Sequence, residues 1–209
     1  MKTKEELKLY FENGDKPTQE HFWAWLDSYW HKDEKIAESA IDSVEKVIPV
    51  IIDGTLIGYS LSVSIPKNIK NIKQGAFQWT GMSYQISEVN FNEGLEEIGM
   101  YAFQTHKIKK VKTPSTLKVI DNGAFEGQGN MINGSDSLEE IILNEGLVKI
   151  GDIAFSSLKA TVKDLYIPGS VQSIGLRAFD IPSLQTVSAL KGLDLSNSGI
   201  PKSAVITYR

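Results

Sequence analysis

The chain has 209 residues, 41% of them hydrophobic and 23% charged, with no cysteine. That is the balance of one good-sized folded domain or two small ones, and it excludes disulfide staples, thiolate zinc sites, iron–sulfur clusters and a cysteine nucleophile. Residues 1–60 hold 7 lysines against 12 acidic residues, and residues 61–209 hold 15 basic against 14 acidic; neither part carries the dense basic face of a nucleic-acid binder.

No apolar run approaches the roughly 20 residues of a bilayer span, so no membrane insertion is expected. The longest, Val47 to Ile52, contains Pro49. Behind Met1 and Lys2 there is no apolar segment of the secretory kind, which predicts synthesis in the cytoplasm without a signal peptide.

The first element expected is a helix capped by Thr3, running through Leu7, Leu9, Tyr10 and Phe11 to Gly14. Thr18, following Pro17, caps a second, on which Phe22, Trp25, Leu26 and Tyr29 share a face while Trp23 and Trp30 widen the stripe beyond what a helical hairpin covers. Two readings stand: a local aromatic core, or burial against another protein surface. Ala37, Ile41, Val44 and Ile48 then follow at spacings of 4, 3 and 4, a short heptad-like seam ended by Pro49. Residues 1–55 therefore read as a helical attachment or oligomerisation module with a neck, whose candidate contacts are Phe22, Trp23, Trp25, Tyr29, Trp30, Ile41, Val44 and Ile48.

Residues 56–209 carry an internal repeat. Ala-Phe dipeptides end at Phe77, Phe103, Phe125, Phe155 and Phe179, spaced 26, 22, 30 and 24 residues apart. Five residues before each stands an isoleucine: Ile72, Ile98, Ile120, Ile150 and Ile174. Eight before come Ile69, Leu95, Leu117, Leu147 and Val171; twelve before, Ile65, Phe91, Thr113, Leu143 and Ile167; fourteen before, Val63, Val89, Val111, Ile141 and Leu165. The last two positions lie two apart and so face one side of a short, half-buried strand. Turn residues follow, from Pro66, Asn92, Pro114, Asn144 and Pro168. A single unit cannot bury its apolar face, whereas stacked units can, and the expected fold is an α/β repeat solenoid of short parallel strands with a phenylalanine column inside. Leu184 to Val187 reads as a sixth strand and Ala204 to Tyr208 as an edge or capping strand.

Units such as Leu165 to Phe179, LYIPGSVQSIGLRAF, resemble the BspA-type leucine-rich repeats of bacterial adhesins and parasite surface proteins. The resemblance covers residues 60–190 and implies a curved solenoid that binds proteins or glycans. The cysteine that often follows Ala-Phe in that family is absent here. Residues 4–36, KEELKLYFENGDKPTQEHFWAWLDSYWHKDEKI, resemble the amino-terminal module of fibre-like structural proteins of phages and prophages of Bacteroidetes. This second resemblance implies a homo-oligomer, a trimer foremost, attached to virion or other assembly proteins, and a virion location if phage-encoded; otherwise the chain would be cytoplasmic, or on the surface by another route.

Chemistry finds little purchase. His21, His31 and His106 lack metal-site spacing and read as packing or exposed residues; no metal or cofactor is expected. Gly127 to Gly129 lies in a polar loop, not between a strand and a helix. Asn133 to Ser135 forms a sequon read as a surface turn. The outward ladder runs Ser62, Glu88, Lys110, Glu140, Asp164, and beside it Ser64, Asn90, Lys112, Ile142, Tyr166. With strands about 4.8 Å apart, Lys110 is expected between Glu88 and Glu140. Glu140 and Asp164 would stand near the roughly 5 Å separation of a retaining glycosidase, which keeps a carbohydrate-active enzyme as a third reading. The favoured reading is non-enzymatic: an attachment protein recognising a bacterial surface glycan or protein, with an adhesion or interaction protein of no phage role as the alternative. The candidate ligand residues are Ile142 and Tyr166 on the strands, Trp79, Met82 and Tyr84 in one long loop, and Gln128, Asn130, Met131 and Asn133 in the other.

Overall fold

The computed structural model describes residues 18, 19, 21, 46–52, 55–79, 85–127 and 138–209. The chain divides into two compact units, residues 1–42 and 43–209. In the first, the Thr18 hydroxyl accepts the His21 N–H at 3.3 Å while the Thr18 N–H donates to His21 Nδ1 at 3.4 Å, the reciprocal geometry of a capping box. Phe22, Trp23, Trp25, Tyr29, Trp30, Ile41 and Val44 lie outside the described residues, as do the helices expected there.

The second unit is a stack of coils whose short strands form two ladders. One ladder runs β1 (Lys46–Ile52), β2 (Thr55–Ser64), β4 (Ile86–Asn90), β6 (Lys110–Lys112), β8 (Glu140–Ile142), β10 (Asp164–Tyr166), β12 (Thr186–Ala189) and β13 (Val205–Tyr208). The other runs β3 (Asn71–Ile72), β5 (Glu97–Ile98), β7 (Val119–Ile120), β9 (Lys149–Ile150) and β11 (Ser173–Ile174), a continuous parallel sheet. Its register pairs Ile72 with Ile98, Ile98 with Ile120, Ile120 with Ile150 and Ile150 with Ile174, matching the sequence register residue for residue. In the first ladder hydrogen bonding groups β1-β2-β4, β6-β8 and β10-β12-β13. β4 lies beside β6 and β8 beside β10.

β1 pairs antiparallel with β2, which corrects the reading of the neck: Ile48, the last member of the heptad-like seam, is in a strand, and residues 46–52 hydrogen-bond to the solenoid. The physical reason is local. Lys46 to Ile52 is rich in β-branched residues and holds Pro49, which no helix interior accommodates without losing a hydrogen bond, whereas the partnering of β2 rewards an extended chain. The sixth strand and the capping strand both form, as β12 and β13, and pair with each other in parallel.

The phenylalanines make the predicted column. Phe77 and Phe103 stack with centroids 5.1 Å apart, Phe103 and Phe125 5.4 Å, Phe125 and Phe155 5.2 Å, and Phe155 and Phe179 5.6 Å, all within 10° of coplanar. Stacking is forced by the turn backbones: the Phe103 N–H donates to the Ala124 carbonyl, Phe125 to Ala154, and Phe155 to Ala178, each at 2.8 Å, so each ring rides directly on the next.

Two residues before each phenylalanine the chain is left-handed, at Gly75, Tyr101, Gly123, Ile153 and Arg177, with φ between 48° and 64°. Glycine takes this conformation freely; a β-branched side chain does not. Ile153→Gly is therefore expected to be more stable than Ile153→Ala by about 1 kcal/mol in denaturant unfolding, the reverse of their order in an ordinary helix or strand.

The opposite turns alternate in kind. Coils opening on Asn92 and Asn144 reach to the proline coils on both sides. The Asn92 amide donates to the Lys67 and Ile69 carbonyls, both at 3.2 Å, and the Asn144 amide to the Thr113 carbonyl. On the other side Glu93 accepts from the Ser115 N–H and hydroxyl, and Glu145 from the N–H groups of Gly169 and Ser170. The Gly94 and Gly146 N–H groups donate to Thr116 Oγ1 and Ser170 Oγ, each at 2.9 Å.

Candidate functional site

Because alternate residues of a strand point to opposite faces, the first ladder turns Val111, Ile141, Leu165 and Val187 inward and leaves their neighbours on the outer face. There β8, β10, β12 and β13 line a broad open groove of about 830 Å³, edged by Glu140, Ile142, Asp164, Tyr166, Thr186, Ser188 and Thr207. Of the residues singled out from sequence, Ile142 and Tyr166 come together here. Trp79 is not among the groove-lining residues; it is half-buried at the end of its turn, with its N–H donating to the Gln104 carbonyl at 3.2 Å. Met82, Tyr84, Gln128, Asn130, Met131 and Asn133 lie outside the described residues.

Tyr166 is 44% exposed and fixed from several sides. Its hydroxyl donates to Glu145 at 3.0 Å and accepts from Arg209 Nη1 at 2.9 Å, while the guanidinium lies 4.2 Å from the ring centroid. Arg209 also donates to Ser188 Oγ and to the Ile167 carbonyl, tying β10, β12 and the end of β13 together. Glu145 is held below the usual carboxylate range, first by the Gly169 N–H and then by the Tyr166 hydroxyl and Ser170. The tyrosine is thus presented in one orientation, at little entropic cost to a ligand that touches it.

The charges beside it are already engaged. Lys110 and Glu140 pair at 2.7 Å, and Lys109 and Glu139 at 3.7 Å. Asp164 accepts from the Thr186 hydroxyl. The expected bridge through Lys110 forms on one side: Lys110 lies opposite Glu140 in the β6–β8 register, whereas β4 and β6 are not hydrogen-bonded neighbours. Glu88 instead accepts from the Asn90 amide at 3.4 Å. About half of each partner's surface is open to water, so the Lys110–Glu140 pair is worth no more than about 1 kcal/mol. Lys110→Ala should accordingly change the unfolding midpoint little, a difference within about 1 kcal/mol in urea titration.

Sequence reasoning missed Thr186, Ser188, Thr207 and Arg209. Extending the outward ladder by one coil past Asp164 and Tyr166 would have reached Thr186 and Ser188. No local pattern announces that Arg209 folds back over Tyr166. His106 is a packing residue: it is buried, and both ring nitrogens meet backbone groups. Among the described residues no group of histidines and acids is placed to hold a metal ion, and no helix is long and apolar enough to cross a membrane.

The repeat register, the paired parallel ladders and the phenylalanine column define a leucine-rich repeat solenoid. The family described as BspA type leucine rich repeat region matches residues 60–179 and 130–200 in six copies, and the chain belongs to that family. Among solved structures it is similar to a leucine-rich repeat protein from Bacteroides ovatus, at 19% identity and a TM-score of 0.41, over 69% of this chain and 48% of that one. The chain thus spans about half the length of that protein. A search of curated proteins gives no match.

Proposed function

We propose that the chain is a non-enzymatic binding protein whose solenoid recognises a glycan or protein of a bacterial surface through the groove on β8, β10, β12 and β13. The observation that carries this reading is the pairing of a pinned, 44% exposed Tyr166 with the neighbouring Ile142 on an open sheet face. Engagement of Glu140 by Lys110 and of Asp164 by Thr186 favours contact over acid–base chemistry. Retention of labelled protein on intact Bacteroidetes cells tests it. Ile142→Asp combined with Tyr166→Ala should lower retention at least about tenfold, the size of effect expected from losing a central aromatic anchor. Lys149→Ala on the other ladder should leave it unchanged, and equal retention by all three proteins would defeat the reading.

A finer reading makes the chain a virion-associated fibre or tail-type component of a phage or prophage. Its support is the resemblance of residues 4–36. Light scattering after size-exclusion chromatography addresses it: a trimer that becomes monomeric on removing residues 1–55 is the expected result, and a monomeric full-length chain counts against it.

A further inference from the structure

His106 follows the second Ala-Phe turn and reaches back across the stack. Its Nδ1 accepts the Ile86 N–H at 3.0 Å, and its Nε2–H donates to the Phe77 carbonyl. One neutral tautomer satisfies both bonds at once, and it joins three places: the first turn, the start of β4 and the second turn. Beside it the Gln85 side chain donates to the Thr105 carbonyl at 2.8 Å, so two adjacent ties hold the chain where it enters β4.

Among the described residues the ring has no ionic partner to welcome a second proton. It borders a small cavity of about 20 Å³ walled by Phe103, Ile108, Val111, Phe125, Leu138 and Ser157, all without charge. On the described elements packed around it the charged side chains include Lys73, Glu88, Lys107, Lys109, Lys110, Lys112, Glu126 and Glu139. All but Glu126 are exposed, Lys109 and Glu139 pair with each other, and Glu126 accepts from Gln104. A proton on Nδ1 would set a donor against the Ile86 N–H and leave a cation in a buried wall whose one side-chain polar group is the Ser157 hydroxyl.

We infer that His106 is an acid-sensitive latch, closed when its ring is neutral and released on protonation, freeing the start of β4 at Ile86 from the second Ala-Phe turn. Burial holds the ring's pKa below 6.5, with the bond to Phe77 a smaller effect in the opposite direction. The open form, titrating near 6.5, therefore binds more protons in mild acid. The latch keeps its full strength above that value and weakens as pH falls from 6.5 towards the ring's own lower pKa.

Amide hydrogen exchange at Ile86, corrected for intrinsic rate and referred to Val111, reads the latch directly. Between pH 7.5 and 5.5 its protection should fall severalfold, up to the roughly tenfold limit that one proton taken up near 6.5 by the open form produces. His106→Asn and His106→Gln, which do not titrate, should abolish that dependence. Protection that is independent of pH in the unaltered chain, or equally dependent in both variants, would overturn the inference. Should the variants fail to fold, the ring resonances of the unaltered chain decide: an Nε2–H tautomer titrating below 6.5 is expected, and titration at or above 6.5 refutes it.

Discussion

Phe155→Ala is expected to cost about 3–5 kcal/mol, seen as a fall in urea midpoint. The ring is fully buried and stacks on both sides, against Phe125 at 5.2 Å and Phe179 at 5.6 Å, so truncation empties a space shared by three coils. Each lost ring pair adds about 0.5–1.5 kcal/mol to the burial term. Phe77→Ala should cost less. That ring is half-buried, and among the described residues its stacking partner in the column is Phe103 alone. Because a solenoid's stability is close to a sum over neighbouring interfaces, a central coil weakened at two of them should also broaden the transition. Equal losses for Phe77 and Phe155 would mean that the column is not the principal tie.

Gly175→Ala is the second large effect, expected at about 3 kcal/mol, the upper end of overpacking costs. A Cβ there would stand 2.3 Å from the Asp152 nitrogen and 2.5 Å from the Gly151 carbonyl carbon, both backbone atoms of the coil before. Neither can yield without separating the coils. At stake are the bond from the Gly175 N–H to the Ile150 carbonyl and that from the Leu176 N–H to Asp152 Oδ1, each 2.8 Å. Gly99 and Gly151 stand in the same relation to their predecessors. Gly169→Ala is the control: its nearest neighbour, the flexible tip of Glu145, would be 3.9 Å away, and the change should be close to neutral. Thermal or urea unfolding of the two variants side by side checks the contrast.

The repeat was legible because its side chains answer to one physical demand. Ile72, Ile98, Ile120, Ile150 and Ile174 face one another across parallel strands, so a gap or a polar residue there would open the core of two coils at once. Thr113 shows how the pattern tolerates an exception: the residue is buried, but its hydroxyl accepts the Asn144 N–H at 2.9 Å. The groove was legible only in part. Ile142 and Tyr166 follow from strand alternation, since residues beside inward positions must face outward. What pins Tyr166 comes from Glu145 and Arg209, 21 and 43 residues away in the chain, and no periodicity encodes a contact between a turn and a terminal strand. The β1–β2 hairpin was missed for a related reason. The spacing of Ile41, Val44 and Ile48 matches a helix, but Pro49 and the β-branched run after it favour the extended pairing that β2 offers.

The alternation of asparagine and proline turns bears on how such a chain can change in length. An Asn-Glu-Gly coil is built to grip a proline coil on either side, through its amide in one direction and its carboxylate in the other. Deleting or duplicating a single coil would set two grips, or two surfaces awaiting one, against each other. Recombination within this gene is therefore expected to succeed by twos, with the coil pair as the heritable increment.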